Sequence, residues 1–152
     1  MRAAARVRLT YILTLALGLA TLGWGCHKAS TPEAEVRQLV ERAQKAAEAR
    51  TVSDLTGLLS SDFRDGQGNS SEDLARYLRA YFIANQSVRL ITRIDSLQFP
   101  GPDTANLKVG VASATQSNGE SGLGGIGANF RTFELALVRE DGDWKVRYAK
   151  WQ

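Results

Sequence analysis

The spacing of apolar residues predicts three helices in the first half of the chain beyond residue 30. From Pro32 to about Arg50, apolar residues recur every three or four positions and polar residues fill the other faces. Thr31 supplies the hydroxyl that caps a helix start, and the proline that follows fits the first helical position. A short second helix follows Ser53. A third follows Ser70, and its apolar stripe consists of Leu74, Tyr77, Leu78, Tyr81 and Phe82.

The period of the pattern changes from about four to two at residue 88, which is typical of strands with one buried face. Residues 100–103 and the Asp141–Gly142 pair mark tight turns. Residues 60–69 and the Gly-rich residues 116–127 indicate loops. The pattern therefore predicts an α+β fold, with three N-terminal helices packed on one face of an antiparallel sheet of about four strands. The predicted strands are residues 88–99, 105–111, 130–139 and 144–151.

The N-terminus has the three parts of an export signal. Arg2, Arg6 and Arg8 precede an apolar run, residues 11–22, which is too short to span a bilayer. The run ends at Gly25 and Cys26, and it resembles bacterial lipoprotein signal peptides, in which a small residue precedes an obligatory cysteine. The resemblance implies that residues 1–25 are removed and that Cys26, the sole cysteine, receives a lipid.

A lipid on Cys26 would anchor the protein to a membrane, because two or more acyl chains give firm attachment. Residues 26–31 would then be the tether and residues 32–152 the globular domain. The five residues after the cysteine reach at most ~18 Å, so the domain should lie close to the bilayer. A residue other than aspartate after the cysteine, here His27, points by the same resemblance to the periplasmic face of the outer membrane in the cell envelope.

The charge distribution argues against a nucleic-acid partner. The net charge is +3, and once Arg2, Arg6 and Arg8 are taken from the 19 Lys and Arg, 16 remain against 16 Asp and Glu. A nucleic-acid-binding domain would carry its excess positive charge on the folded part, since neutralisation of phosphate supplies most of its affinity. The domain itself is formally neutral.

Two stretches carry a resemblance to a known fold family. Residues 55–63 end in Ser-Asp-Phe, and residues 133–146 contain Glu-Asp-Gly-Asp-Trp-Lys-Val. With the Ala-rich first helix and the long third helix, they resemble the nuclear transport factor 2 family and its SnoaL-like relatives over residues 32–152. The resemblance implies a cystatin-like cone, a strongly curved sheet around the helices with a cavity at its open end. Members of the family include isomerases, dehydratases, cyclases, transport factors and non-catalytic binding proteins.

Several motifs lack the context that their chemistry requires. Gly122–Gly127 matches a dinucleotide fingerprint, but it precedes a predicted strand instead of a helix. Asp62 and Asp65 lie in a segment without the spacing and the terminal glutamate of a calcium loop. The only histidine is His27 in the tether, which excludes histidine-dependent nucleophilic or metal chemistry in the domain. We therefore expect no metal and no cofactor, and assign no catalytic residue.

Aromatic residues of the third helix and the last two strands are the candidates for the lining of the cone. Alternation in the last strand predicts that Trp144, Val146 and Tyr148 face one way and that Ala149 and Trp151 face the other. The leading hypothesis is a non-catalytic module that binds a small apolar ligand in the cone or an envelope protein on its surface. The candidate pocket residues are Tyr77, Tyr81, Phe82, Phe133, Trp144, Tyr148 and Trp151.

Two alternatives remain open. The first is an isomerase- or dehydratase-like enzyme with a carboxylate base and a tyrosine donor. Asp62, Asp65 and Asp95 are the carboxylates available to it, and the tyrosines are Tyr77, Tyr81 and Tyr148. The second is a self-associating lipoprotein, a homodimer formed through the sheet.

Overall fold

Three helices and five strands form the fold of this chain. The computed structural model describes residues 30–117 and 126–152. Helix α1 is Pro32–Glu48, α2 is Val52–Thr56 and α3 is Ser71–Ala84. The strands are β1 (Leu59–Asp65), β2 (Asn85–Gly101), β3 (Thr104–Ser117), β4 (Ile126–Glu140) and β5 (Asp143–Trp151).

The predictions for the N-terminal region and the Gly-rich segment lie outside the described residues. These are the signal peptide at residues 1–25, the lipid on Cys26, most of the tether and residues 118–125. In the ranges that are described, no helix combines the length and the apolar character needed to cross a bilayer.

The strands form one curved mixed sheet in the order β1-β5-β4-β3-β2. The pairs β2–β3, β3–β4 and β4–β5 are antiparallel, and β1 pairs with β5 in parallel. The prediction of about four strands in a purely antiparallel sheet was wrong, because β1 lies in the segment predicted as a loop. Its inward-facing positions include two polar residues, Ser60 and Asp65, beside the buried Phe63, so the apolar alternation that marks a strand is missing.

The two long helices begin at capped N-termini, as predicted. The Thr31 Oγ1 atom accepts a hydrogen bond of 3.2 Å from the Ala34 backbone N–H. At α3, Ser70 Oγ accepts from the Asp73 N–H at 3.3 Å, and Asp73 Oδ2 accepts from the Ser70 N–H at 3.0 Å, which is a capping box. These bonds satisfy backbone donors that have no partner within the helix.

Helix α1 packs its apolar stripe against the sheet and builds the core. Val36, Leu39 and Phe63 are 0 to 2% exposed. Burial of this apolar surface is the main favourable contribution to folding. The other buried members of the cluster come from α1 and the sheet: Val40, Ala105, Leu107, Val109, Leu137, Trp144, Val146 and Ala149.

A bulge in β5 changes which face its side chains occupy. Leu137 pairs with Val146, but the preceding residue Ala136 pairs with Tyr148, so Arg147 is an extra residue in the ladder. The predicted common face of Trp144, Val146 and Tyr148 was therefore wrong. Trp144 and Val146 face the core with Ala149 and Trp151, whereas Tyr148 faces the opposite side of the sheet.

The two ends of the sheet differ, and we name them by what they contain. The hairpin end holds the β2–β3 and β4–β5 turns. The first turn of α1 also lies there, because Glu35 Oε2 accepts hydrogen bonds from Arg139 at 2.7 Å and from Trp144 Nε1 at 3.1 Å. The mouth end is where β3 leaves the sheet and β4 enters it. With 17 residues, α1 is about 25 Å long, and it runs from the hairpin end toward the mouth end.

Candidate functional site

The face of the sheet that carries the core, which we call the concave face, becomes progressively more accessible toward the mouth end. Along β4, Leu137 is buried, Leu135 and Phe133 are half-buried and Arg131 is exposed. All four share one face because side chains alternate along a strand. At β4 the helices therefore leave the mouth half of this face open, whereas at β2 the mouth half is covered, since Val88 is buried there.

A row of three side chains crosses the open half. Thr92 on β2 pairs with Val111 on β3, and Val111 pairs with Arg131 on β4. Directly opposite residues in neighbouring strands lie about 5 Å apart, so these side chains are neighbours. The row combines a hydroxyl, an apolar surface and a cation.

Helix α1 forms one wall beside this row. Thr92 Oγ1 donates a hydrogen bond of 2.8 Å to Gln44 Oε1, and Gln44 Nε2 donates one of 3.0 Å to the Leu90 carbonyl. Glu48 Oε1 accepts from the Leu90 N–H at 2.9 Å. Because β2 is an edge strand, these side chains satisfy backbone groups that have no neighbouring strand.

Helix α3 contributes Tyr81 on the other side. Burial raises the pKa of the Tyr81 hydroxyl above its usual value, the neighbouring Tyr77 raises it further, and the charge of Arg131 lowers it. Arg131 thus lies within electrostatic reach of this phenol, across the concave face. The rings of Tyr77 and Tyr81 stack with centroids 6.1 Å apart, and Tyr77 is 62% exposed.

Apolar side chains line the hairpin side of the row. The rings of Phe133 and Trp151 lie 5.9 Å apart, and both residues are half-buried. Val111 and Trp151 also pack against the buried core. A ligand at this site would meet an apolar surface on one side and polar groups on the other.

The seven candidate pocket residues fall in three different places. Tyr81, Phe133 and Trp151 border the open half of the concave face, with Tyr77 at its rim. Phe82 and Trp144 are 8% and 2% exposed, so both belong to the packed interior. Tyr148 is on the opposite, outer face of the sheet.

Five residues of the site were missed from the sequence: Gln44, Glu48, Thr92, Val111 and Arg131. The alternation of β4 carried back from Leu137 would have placed Arg131 on the concave face. No sequence signal pairs Gln44 with Thr92, because 48 positions separate them.

Tyr148 lies in a second concavity, a shallow depression of about 350 Å³ on the outer face. Its walls are about equally polar and apolar and are largely open to solvent. The concave face is the stronger candidate site, because helices enclose it from one side and several aromatic rings border it. Residues that line the depression include Ser96, Gln98, Asn106, Glu134 and Tyr148.

The carboxylates considered for catalysis lie away from the concave site. Asp62 is exposed on β1, and Asp65 accepts hydrogen bonds within its own turn. Asp95 accepts from Arg93 Nε at 2.8 Å on the outer face, where its Oδ2 atom lies over Gly110. Among the described residues, no carboxylate is hydrogen-bonded to a tyrosine hydroxyl, and no group of three or more His, Cys, Asp or Glu could hold a metal ion.

Neither a protein-family model nor a curated protein matches this chain. Solved structures do match, among them a scytalone dehydratase-like protein from Novosphingobium aromaticivorans, with a TM-score of 0.70, 14% identity and coverage of 78% of this chain and 80% of that one. A ketosteroid isomerase-like protein from Erwinia carotovora atroseptica has a TM-score of 0.64 at 11% identity over 78% of this chain and 92% of its own. A protein of unknown function with a cystatin-like fold from Nostoc punctiforme has a TM-score of 0.61 at 14% identity over 78% and 88%.

At these identities the similarity concerns the fold. The predicted nuclear transport factor 2-like, cystatin-like fold is confirmed, with a curved sheet of five strands and three helices.

Proposed function

We propose that this protein is a non-catalytic module that binds a small, partly apolar ligand on the open half of its concave face. One observation carries the proposal: the face changes from a packed core at Leu137 to an exposed cation at Arg131 within one strand. Half-buried aromatic rings border this open half. Ligand sites in proteins are mostly apolar surfaces with a few polar groups that fix orientation.

A dehydratase- or isomerase-like activity is the second candidate. The scytalone dehydratase-like and ketosteroid isomerase-like structures that share the fold support it. An acid–base reaction needs a base within hydrogen-bonding reach of the substrate. None of the aspartates considered above faces the concave site, and the carboxylate in its wall, Glu48, accepts a hydrogen bond from the Leu90 N–H. The binding function accounts for the same residues without that requirement.

We further propose that a lipid on Cys26 holds the domain at the periplasmic face of the outer membrane. Helix α1 begins at Pro32, six positions after the cysteine, and its first turn lies at the hairpin end. A tether of at most ~18 Å would keep this end near the bilayer. The concave site, at the other end of a helix about 25 Å long, would then face away from the membrane.

A ligand screen tests the binding function. The purified full chain is expected to gain thermal stability with small amphipathic compounds, because a ligand that binds only the native state raises the midpoint of unfolding. Two-dimensional NMR should then show shifts at Thr92, Val111 and Phe133. Hits whose shifts cluster at the outer-face residues Gln98 and Asn106 would contradict the assignment of the site, and turnover of any hit would favour the enzymatic candidate.

Metabolic labelling with radioactive palmitate tests the anchor. The wild-type chain should incorporate label and lose its first 25 residues, whereas Cys26→Ser should do neither. Ser30→Ala, a change of similar size in the tether, is the matched control and should behave as wild type. An unlabelled wild-type chain with an intact Met1 would exclude the anchor.

A further inference from the structure

The two arginines that β4 places on the concave face have different electrostatic surroundings. Arg139, at the hairpin end, forms an ion pair of 2.7 Å with Glu35 and lies 3.7 Å from Asp103. Its guanidinium also stacks over the Trp144 ring at 4.7 Å. Arg131, at the mouth end, forms no ion pair with any residue in the described ranges.

No carboxylate in the described ranges pairs with Arg131, because Glu48 of the α1 wall accepts a hydrogen bond from the Leu90 N–H instead. Across the face lies the Tyr81 hydroxyl, which is neutral at pH 7 like that of any tyrosine, and burial raises its pKa further. Along the row lies the hydroxyl of Thr92, which is already donated to Gln44. The guanidinium of Arg131 therefore forms no ion pair within the described residues.

The apolar rings of Phe133 and Trp151 begin one position farther along the same face. Arg131 and Phe133 are two residues apart on β4, so their side chains are adjacent. Phe133 pairs with Trp151 on β5. A cation thus stands at the edge of an aromatic surface, an arrangement complementary to a molecule with an anionic head and an apolar body.

We propose that the ligand is a monoanionic amphiphile whose carboxylate binds the guanidinium of Arg131 and whose apolar body lies across Phe133 and Trp151. This inference rests on the proposed binding function and specifies the ligand class for that site. A guanidinium binds a carboxylate through two parallel hydrogen bonds, which a neutral or cationic head cannot form.

Three compounds that share an eight-carbon chain and differ in their head groups test the inference. Octanoate, octan-1-ol and octylamine are titrated into the full chain carrying Cys26→Ser, which lacks the proposed site of lipid attachment. Binding is followed by calorimetry and by tryptophan fluorescence. We expect the Kd of octanoate to be at least about tenfold lower than that of octanol, and octylamine to bind weakest.

The same change, arginine to glutamine, at Arg131 and at a distant arginine distinguishes binding at the site from a nonspecific effect of positive charge. Arg131→Gln should abolish the preference for octanoate over octanol, and Arg131→Lys should retain part of it, because lysine keeps the charge and loses the bidentate geometry. Arg89→Gln removes an exposed arginine from the outer face of β2 and should leave the preference unchanged.

Each outcome decides the inference separately from the binding function. Equal affinity for octanoate and octanol would overturn the anionic ligand and leave the binding function standing. A preference for octanoate that persists in Arg131→Gln would also overturn the inference, since another group would be responsible. If none of the three compounds binds, the proposal of an amphiphilic ligand is overturned. The unbiased ligand screen alone then decides the binding function.

Discussion

A single buried carboxylate, Asp65, organises the turn between β1 and α3. It is 4% exposed and accepts hydrogen bonds from the Gln67 N–H at 2.8 Å, the Asn69 N–H at 2.9 Å and the Asn69 side-chain amide at 2.8 Å. Burial by itself would raise the pKa of this carboxyl, but the hydrogen bonds from Asn69, Gln67 and Gly68 outweigh it and lower the pKa below 3.8. The charged form is therefore the one that the folded protein stabilises.

Asp65→Asn should lower the free energy of unfolding by about 1–3 kcal/mol at pH 7. The new side-chain NH2 group would face the NH2 group of Asn69, and two donors cannot form a hydrogen bond with each other. Urea denaturation measures the loss. Asp62→Asn, three positions earlier on the exposed side of β1, is the control and should change stability by less than about 0.5 kcal/mol.

Asp65 should also make the free energy of unfolding depend on pH. Because the folded pKa is depressed, the contribution of Asp65 is fully present above pH 4 and is lost as the pH falls through the folded pKa. The stability difference between wild type and Asp65→Asn should thus narrow below pH 4. A difference that stays constant down to pH 2 would contradict the assignment of the charge.

At the scale of elements, α1 protects the edge of the sheet. Strand β2 is at the edge, and its Leu90 backbone N–H and carbonyl are bound by Glu48 and Gln44 of α1. Free edge groups are templates for pairing with another chain. A helix that satisfies them with side chains closes the edge at this point.

Glu48→Ala should expose the Leu90 amide, because its 2.9 Å hydrogen bond has no replacement from a strand. Hydrogen exchange at Leu90 is expected to accelerate by about tenfold, which corresponds to about 1.4 kcal/mol of local protection. Glu41→Ala, on the exposed side of the same helix, should leave that rate unchanged. An unchanged rate in Glu48→Ala would show that the amide is protected by other means.

At the scale of the whole molecule, the core and the candidate site lie within one unit, Thr31–Gln152. Every buried residue of the main apolar cluster, from Val36 to Ala149, belongs to it. The hairpin end is closed by the contacts of Glu35 with Arg139 and Trp144, and the mouth end is open. The closed end and the end where we propose that a ligand binds thus lie at opposite ends of one fold.

A fragment of residues 31–152 is therefore expected to fold on its own. Thermal unfolding followed by circular dichroism should show one cooperative transition, with a midpoint within about 4 °C of the full chain, since less than about 1 kcal/mol of packing would be lost. The fragment should keep the ligand affinity of the full chain. A broad transition without near-ultraviolet signal would mean that the first 30 residues contribute to the core.

Local patterns in the sequence were sufficient to predict the helices, the caps of the two long ones and four of the strands. Apolar residues at helical spacing predict α1 and α3, Thr31 and Ser70 predict their starts, and alternation predicts β2 to β5. These features depend on neighbours within a few positions, which a single sequence displays directly. The resemblance of residues 32–152 to a cone-shaped family reached the correct fold from the same patterns.

Only the tertiary structure decided the first strand, the face of Tyr148 and the concave site, because each depends on contacts between residues far apart in the sequence. Strand β1 is held by parallel pairing with β5, although its polar Ser60 and Asp65 give it no strand pattern. One extra residue, Arg147, turns Tyr148 away from the core. The concave site unites Gln44 and Arg131 across 87 positions, and no local rule brings such residues together.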